Sequence, residues 1–365
     1  MNLLNKIFGK REENIKSYED FWNWFLLNEK KFFKIVEDGK NIENIFFDKL
    51  SKKINPINEG FFFLCGMLDK NTAELIVTAD GNIKNIVFVE ELINAAPIIN
   101  GWKFTALKPA NDSDTFGIDM NGYKFDSKNL KFFSTINKEY PDEINITLVF
   151  ENYNIIDKEK IDLGCYIFIE NYLGELNSIS MIDSMTIIGP NESKQELLPI
   201  NKLKSYLIWR EKEFIEKYDS IRHNTENDNY ASLEAKSQNG NPLIAVMNTD
   251  LLKWENKVSH QWFLCVNIKY DGSKNNGLPD NKTLEISYKL ENEINILLKD
   301  SEGNLNIGRE TCEGVRIMFF ACKDFRKPSK VLTELKTKYK NELIFDFEIY
   351  KDKYWSTLNY YINSI

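Results

Sequence analysis

The stretch 305–322 constrains the fold most strongly, because it has the pattern of a β-hairpin. Two strand-length runs, 305–312 and 315–322, flank the dipeptide Glu313-Gly314. Glycine supplies the positive φ that a two-residue type I′ turn requires. We therefore expect an antiparallel sheet in the C-terminal part of the chain.

The register of this hairpin follows from its turn, since a two-residue connection fixes which residues face each other. It predicts that Arg316 lies opposite Thr311 and that Cys322 lies opposite Leu305. Cys312 and Cys322 then lie at opposite ends of the hairpin. That separation is too large for a disulfide between them.

The remaining pattern mixes helical and strand periods, which predicts an α+β protein. Helices are expected at 18–36, 42–54, 88–96, 161–172, 203–218, 284–299, 331–339 and 355–362. Further strands are expected at 61–67, 73–79, 101–108, 130–136, 143–150, 179–188, 241–248, 262–270 and 343–349.

The domain organisation follows from the length of 365 residues and from one polar stretch. This length is typical of two domains at about 100–200 residues each. Residues 219–228 contain a single apolar residue, Ile221, and have the composition of a linker. We expect an N-terminal α+β domain at 1–218 and a second domain at 229–365.

Charge and hydropathy exclude two classes of partner. The net charge is −8, which repels phosphate backbones, so we expect no nucleic-acid partner. The longest apolar run, 61–68, is far below the roughly 18 residues that a membrane span needs. Residues 1–11 are too interrupted for a secretory signal. Five widely spaced cysteines without such a signal indicate a reducing, cytoplasmic location.

Catalytic, metal and cofactor patterns do not rise above background. The chain contains no glycine-rich phosphate loop and no cysteine or histidine pair at zinc spacing. Its only histidines, His223 and His260, are best interpreted as exposed or structural. Carboxylate pairs such as Glu90-Glu91, and Asp112 with Asp114, are best interpreted as solvated or capping groups. We expect no cofactor and no metal, and the catalytic residues, if any, stay unknown.

A series of landmarks in the second half resembles the DUF695 family, a bacterial family of unknown function, over about residues 228–365. The landmarks are 242–248, 262–270, 276–279, 290–293, 308–311, 314–316, 318–320, Asp352 and Trp355. The family is similar in fold to the RraB regulators, which inhibit a ribonuclease by binding it. The resemblance implies a ferredoxin-like α+β sandwich. No catalytic residues are established for the family, so none can be assigned to this chain from the resemblance. One departure is Ala321-Cys322, where the family usually has an aromatic residue.

Two groups of residues are candidates for binding a partner. Arg309 and Arg316 share one face of the predicted hairpin and can bind a carboxylate or an acidic patch. Salt bridges to nearby helix acids such as Glu291 or Glu293 are the favoured structural alternative.

The second group is the loop that contains Asn276, Gly277 and Pro279. Turn geometry alone accounts for its glycine and proline. An exposed apolar loop at an interface is the functional alternative.

These observations favour an interaction protein, namely a non-enzymatic regulator, adaptor or immunity-type inhibitor whose partner is another protein. A carboxylate-dependent hydrolase with a site between the domains is one alternative, and a small-ligand sensor is another. The oligomeric state stays open.

Overall fold

The computed structural model describes residues 15–111 and 115–362. The N-terminal stretch 1–11 and the pair Asp112 and Asp114 lie outside these residues. Two compact units are present. The first contains the described residues up to Phe116 together with Tyr166–Ile179, and the second contains Gly117–Cys165 and the described residues from Ser180 onward. The expected linker 219–228 lies inside the second unit, and the division into 1–218 and 229–365 stays a prediction.

The first unit packs helices on a three-stranded sheet. Helix α1 begins at Ser17, whose side chain accepts the N–H of Asp20, and ends at Gly39 with φ 65°. The elements of the first unit up to residue 106 are α1 (Tyr18–Asp38), a π-helical turn (Glu43–Phe47), α2 (Asp48–Ile54), β1 (Phe62–Asp69), β2 (Thr72–Thr78), α3 (Ile83–Asn94) and β3 (Trp102–Ala106). Strand β1 pairs antiparallel with β2, and β2 pairs parallel with β3.

The same order of pairing recurs further along the chain. The next elements are β4 (Gly117–Met120), β5 (Tyr123–Asp126), β6 (Leu130–Thr135), β7 (Asn145–Phe150), α4 (Lys158–Leu173), α5 (Glu175–Met181), β8 (Ser184–Ile188) and β9 (Leu198–Pro199). Strand β6 pairs antiparallel with β7, and β7 pairs parallel with β8 after a helical crossover. Both sheets therefore contain a ββαβ arrangement, although the sequence shows no residue-level repeat.

A six-stranded antiparallel sheet dominates the second unit, in the order β10-β11-β13-β14-β12-β15. The elements are α6 (Leu203–Tyr218), β10 (Tyr230–Lys236), β11 (Pro242–Asn248), α7 (Thr249–Lys253), β12 (Trp262–Lys269), α8 (Asn281–Leu297), β13 (Asn304–Cys312), β14 (Val315–Cys322), α9 (Arg326–Tyr339), β15 (Ile344–Lys351) and α10 (Asn359–Ile362). The ferredoxin-like topology stays a prediction for this sheet.

Both faces of the six-stranded sheet are covered by other elements. On one face, a core cluster joins the sheet to α7 and α10 through residues such as Met247, Leu251, Phe263 and Tyr361. Helix α8 packs against the opposite face, where Glu291 binds side chains of β13 and β14. Helix α9 contacts both α8 and β15.

The hairpin prediction is confirmed at its turn and wrong at its far end. Arg316 faces Thr311 as expected, but Cys322 faces Asn304 and not Leu305. A bulge between Asn306 and Gly308 shifts the register by one residue. All five cysteines are free thiols.

The mixed helix and strand content confirms the α+β class, while several local predictions were wrong. The segment 179–181 is helical and not extended, because it completes α5. Strands β4, β5, β9 and β10 were not predicted. Helix α3 begins at residue 83 and not 88, because Asn82 accepts the N–H of Lys84 and caps it. None of the helices within residues 15–111 and 115–362 is long and apolar enough to cross a membrane.

Candidate functional site at the turn end of the C-terminal sheet

Three connections meet at one end of the six-stranded sheet, which we call the turn end. They are the β10–β11 turn (237–241), the loop 271–279 after β12, and the β13–β14 turn at Glu313-Gly314. Asn276 and Gly277 have φ of 51° and 81°, and Glu313 and Gly314 have φ of 48° and 78°. Two consecutive positive φ values account for the Asn-Gly sequence and for the glycine of Glu-Gly, whereas Glu313 adopts a left-handed conformation that is uncommon for glutamate.

The loop and the hairpin turn are joined through their backbones. Gly314 donates its N–H to the carbonyl oxygen of Gly277 at 2.9 Å. The hydroxyl of Tyr270 donates to the same carbonyl at 3.1 Å. A Cβ atom on Gly272 would lie 2.7 Å from the carbonyl carbon of Gly277, so only glycine fits there. The loop therefore has a fixed shape.

The carboxylate of Glu313 joins the β13–β14 turn to the β10–β11 turn. It accepts hydrogen bonds from the Ser237 hydroxyl and from Asn241 Nδ2 at 3.1 Å, and a longer one from Asn239 Nδ2. The hydrogen bonds from Ser237 and Asn241 hold the pKa of Glu313 below its usual range. Glu313 is therefore an ionised structural group and not a proton donor at neutral pH.

Two shallow depressions flank this arrangement. A polar cleft of about 310 Å³ is lined by Asn241, Tyr270, Asp271, Gly272, Ser273, Asn276, Gly277, Glu313 and Gly314. A more apolar groove of about 380 Å³ is lined by Glu234, Ala235, Lys236, Gly240, Pro242, Leu243 and Ile244. Both are open to solvent, and neither encloses a small molecule as a deep pocket would.

Below the turn end, one carboxylate holds both candidate arginines. Arg309 Nη1 lies 2.9 Å from Glu291 Oε1, and Arg316 Nη2 lies 2.9 Å from Glu291 Oε2. Arg316 Nη1 also donates to the hydroxyl of Thr311 at 3.1 Å. The salt bridge to Glu291 that the sequence suggested as an alternative is thus present. Glu293 instead bonds to Lys338 and Tyr339.

The arginine cluster, defined as Arg309, Arg316 and Glu291, carries two positive charges and one negative charge. Tyr288 on α8 adds a ring face, with the guanidinium carbons of Arg309 and Arg316 at 5.6 and 4.9 Å from its centroid. Among the described residues, Arg316 Nε has no hydrogen-bond partner. The Arg309 side chain is 26% exposed, whereas that of Arg316 is 4% exposed. Of the two arginines, Arg309 is therefore the one that a partner can reach.

The structure brings most of the predicted binding residues to the same end of the sheet. The Tyr270 hydroxyl also approaches the carbonyl oxygen of Val315, next to Arg316, at 3.4 Å. Pro279 precedes α8, and its carbonyl oxygen accepts Asn275 Nδ2 at 3.0 Å. The loop geometry is thus explained locally, and the binding role of Asn276, Gly277 and Pro279 stays a prediction.

Both histidines have structural partners. His223 Nε2 lies 2.8 Å from Asp228, and His260 Nδ1 lies 2.9 Å from the Ser259 hydroxyl. That hydroxyl donates to the carbonyl of Asn256 at 2.7 Å. Burial lowers the pKa of His260 to about 3, with the positive charge of Lys323 adding to the effect. Ser259 and His260 are both buried, so a substrate cannot reach them.

Two buried carboxylates escaped the sequence interpretation. Glu175 accepts from the Thr78 hydroxyl and from the backbone N–H groups of Gly81 and Lys108. Asp183 binds the ammonium groups of Lys351 and Lys353 at 2.8 and 2.6 Å. No local pattern marks either one, because their partners are distant in sequence.

Potential metal ligands do not cluster in the described part of the chain. No group of three or more His, Cys, Asp or Glu residues there is arranged to hold a metal ion. Glu90 and Glu91 lie on α3, and each interacts with another residue of the protein.

No curated protein and no solved structure matches the chain. One family model matches the part that contains the turn end and the arginine cluster. Residues 233–362 match DUF695, a family of unknown function, as the landmarks in the sequence had suggested.

Proposed function

We propose that this protein is a non-enzymatic protein-interaction module, acting as a regulator, adaptor or immunity-type inhibitor. In this proposal its C-terminal sheet binds an acidic segment of a partner protein at Arg309. The observation that carries the proposal is the charge imbalance of the arginine cluster, where two guanidinium groups share one carboxylate.

The imbalance has a physical consequence. A buried charge is costly unless a counter-charge and hydrogen bonds compensate it. Glu291 compensates one arginine fully and leaves one positive charge in excess. A carboxylate from a partner would neutralise that excess and would reach the guanidinium of Arg309 through its exposed part.

The surroundings of Arg309 have the composition of an interface. Tyr288 and Tyr230 are 41% and 51% exposed, and both lie near the guanidinium group. Burial raises the pKa of Tyr230 above its usual value, and the nearby positive charge of Arg309 opposes this rise. Arginine and tyrosine are enriched among the residues that dominate binding energy at protein interfaces.

The resemblance of residues 228–365 to proteins similar in fold to RraB regulators supports the same function, since such regulators act by binding an enzyme. The ferredoxin-like sandwich belongs to this proposal as well. Five free thiols suit a reducing cytoplasm, which is the location that we propose. The buried carboxylates do not favour a hydrolase, because Asp183 and Glu175 are already committed to internal partners.

Arg309 is the residue to test, and Arg316 is not. Removal of Arg309 leaves Arg316 and Glu291 as a balanced pair, so the fold should persist. Removal of the buried Arg316 side chain would leave a cavity beside Glu291 and is therefore expected to disturb the fold. The partner-binding role expected for Arg316 is therefore an indirect one, in which it positions Glu291.

The test is a tagged pull-down from native cytoplasmic extract, read by mass spectrometry, with the wild type and Arg309→Ala. Lys340→Ala, which removes an exposed cation just beyond α9, is the matched control. We expect one protein at near-stoichiometric amounts with the wild type and the control, and its loss with Arg309→Ala. Retention by Arg309→Ala would rule out this surface. If no partner protein is recovered with the wild type, with Arg309→Ala or with Lys340→Ala, the interaction proposal is overturned and the small-ligand sensor is favoured.

A further inference from the structure

We infer that two copies of this chain pair along strand β10, antiparallel, with Leu233 on the two-fold axis. This inference goes beyond the proposed function, because it concerns the edge of the sheet and not the arginine cluster. It rests on three properties of β10, namely an open edge, a defined set of free backbone groups, and a self-complementary order of side chains.

The outer edge of β10 is open. In the six-stranded sheet β10 is the end strand, and no other described residue pairs with its outer side. Its seven residues pair with β11 in continuous register, without a bulge or a proline. Proteins usually protect an exposed edge with bulges, prolines or clustered charge. The charges on β10 are one acid and one base, Glu234 and Lys236, and not a cluster of like charge. An edge of this length without a bulge or a proline is suited to pairing with another strand.

The backbone groups on that edge can be identified from the hydrogen bonds at both ends of the β10–β11 pair. Ser237 donates its N–H to Asn241, and Thr249 donates its N–H to Asn229, each at 2.9 Å. In antiparallel pairs, residues alternate between pointing their N–H and C=O toward the partner strand and away from it. The odd-numbered residues of β10, which are 231, 233 and 235, therefore bond to β11. The even-numbered residues from 230 to 236 present their backbone groups to the open edge.

These groups select the register of a second copy. An antiparallel pairing must match even-numbered residues with even-numbered residues, or the donors and acceptors do not face each other. With Leu233 on the axis, Ser232 faces Glu234 of the second copy and Tyr230 faces Lys236 of the second copy. Each such facing pair exchanges two backbone hydrogen bonds.

The side chains fit this register and disfavour its neighbours. A hydroxyl faces a carboxylate at Ser232 and Glu234, and an aromatic ring faces an ammonium group at Tyr230 and Lys236. A shift by two residues in one direction places Glu234 directly opposite Glu234 of the second copy. A shift in the other direction leaves Lys236 beyond the paired region.

The opposite face of β10 is apolar and continues the core. Leu233 packs against the cluster that contains Ala245 and Met247. In the proposed pair, Leu233 meets Leu233 of the second copy, and Ala231 meets Ala235 of the second copy. The interface is therefore isologous, as expected for a symmetric dimer.

The first test measures the dimer dissociation constant of the full chain by sedimentation equilibrium. Ser232→Lys places an ammonium group opposite Glu234 and should strengthen the dimer. Ser232→Glu places two carboxylates together and should weaken it, and adding Glu234→Lys should restore it. Two symmetric pairs should change the constant by roughly two- to thirtyfold in each direction.

The control applies the same charges elsewhere. Thr337, an exposed residue on α9, is changed to Lys or Glu, which should leave the dissociation constant unaltered. A monomer at all concentrations would overturn the inference. So would a dimer whose stability is indifferent to residue 232 or responds equally at residue 337.

A second test reads the register directly. Leu233→Cys places two thiols opposite each other at the axis and should yield a disulfide-linked dimer under mild oxidation. Ala235→Cys faces Ala231 of the second copy and should not. Cross-linking of both variants alike, or of neither, would contradict the register, and the wild type reports any contribution from the five native cysteines.

Discussion

The carboxylate of Glu291 lies 2.9 Å from Nη2 of Arg316, and both side chains are buried between α8 and the C-terminal sheet. Breaking a buried ion pair of this kind is costly, because it leaves an uncompensated buried charge. The same carboxylate also holds Arg309. The arginine cluster thus has a structural part, at Arg316, and an accessible part, at Arg309.

Loss of the Glu291 charge should destabilise the fold strongly. Glu291→Gln leaves two arginines without a counter-charge, one of them buried, and breaking such a pair typically costs about 3–5 kcal/mol. Glu285→Gln, at an exposed position on the same helix, should change the free energy of unfolding by less than about 0.5 kcal/mol. Urea denaturation at pH 7 measures both. Equal stabilities would mean that the cluster contributes nothing to the fold.

The close approach of loop 271–279 to the hairpin turn can be tested with matched glycine variants. Gly277 and Gly240 have φ of 81° and 82°, so alanine costs about 1–2 kcal/mol of left-handed strain at either position. At Gly277 the added Cβ would also lie 3.1 Å from the backbone nitrogen of Glu313, whereas Gly240 has open space. Gly277→Ala should therefore be less stable than Gly240→Ala by about 1 kcal/mol or more. Identical unfolding curves would show that the contact is loose.

The sequence was sufficient for the turn of the C-terminal hairpin, because the Glu-Gly dipeptide encodes its geometry locally. It was not sufficient for the bulge, which depends on Gly308 lying against β11. A Cβ there would lie within van der Waals overlap of the carbonyl oxygen of Val246. Strand β10 was missed because its alternation uses small and charged residues, although the order Tyr-Ala-Ser-Leu-Glu-Ala-Lys does have a period of two.

For the site, the register predicted that Arg309 and Arg316 share a face, and the structure agrees. Which acid they bind depends on how α8 is rotated above the sheet, and that is a tertiary property. The sequence could therefore suggest Glu291 as one of two possible partners but could not choose between Glu291 and Glu293. No sequence pattern predicted the Asp183 cluster, which consists of Asp183, Lys351 and Lys353. Its two lysines follow Asp183 by 168 and 170 positions in the chain.

The Asp183 cluster should make stability sensitive to acid. Burial alone would raise the pKa of Asp183, but the charges of Lys351 and Lys353 hold it below its usual range. A depressed pKa contributes stability at neutral pH that is lost as the pH falls from about 3.9 through the folded-state pKa. Asp183→Asn should cost about 3 kcal/mol at pH 7.

The decisive measurement for Asp183 is how that cost varies with pH. The stability difference between the wild type and Asp183→Asn should shrink below about pH 3.9, where Asp183 becomes protonated in the unfolded chain before it does so in the folded protein. Urea unfolding of both proteins at pH 7, 5, 4 and 3 gives this difference. A gap that stays constant down to pH 3 would show that the ion pairs are not its cause.

His260 should also make the stability of the fold depend on pH, and its effect should begin at a higher pH than that of Asp183. Its folded-state pKa is lowered from 6.5 to about 3, chiefly by burial. Between these values the unfolded chain binds a proton and the folded chain does not, so stability rises with pH across this window. Below pH 6.5 the wild type should lose about 1.4 kcal/mol per pH unit through this group.

His260→Asn isolates the effect. An asparagine amide can take the place of Nδ1 beside Ser259, while it removes Nε2, which has no hydrogen-bond partner among the described residues. The variant should lack the His260 slope, so its stability relative to the wild type should improve steadily from pH 6.5 to pH 4.5. Chemical denaturation across that range measures it. Parallel stability profiles would mean that His260 becomes protonated in the folded protein, which would in turn require a proton acceptor or solvent access beside its Nε2.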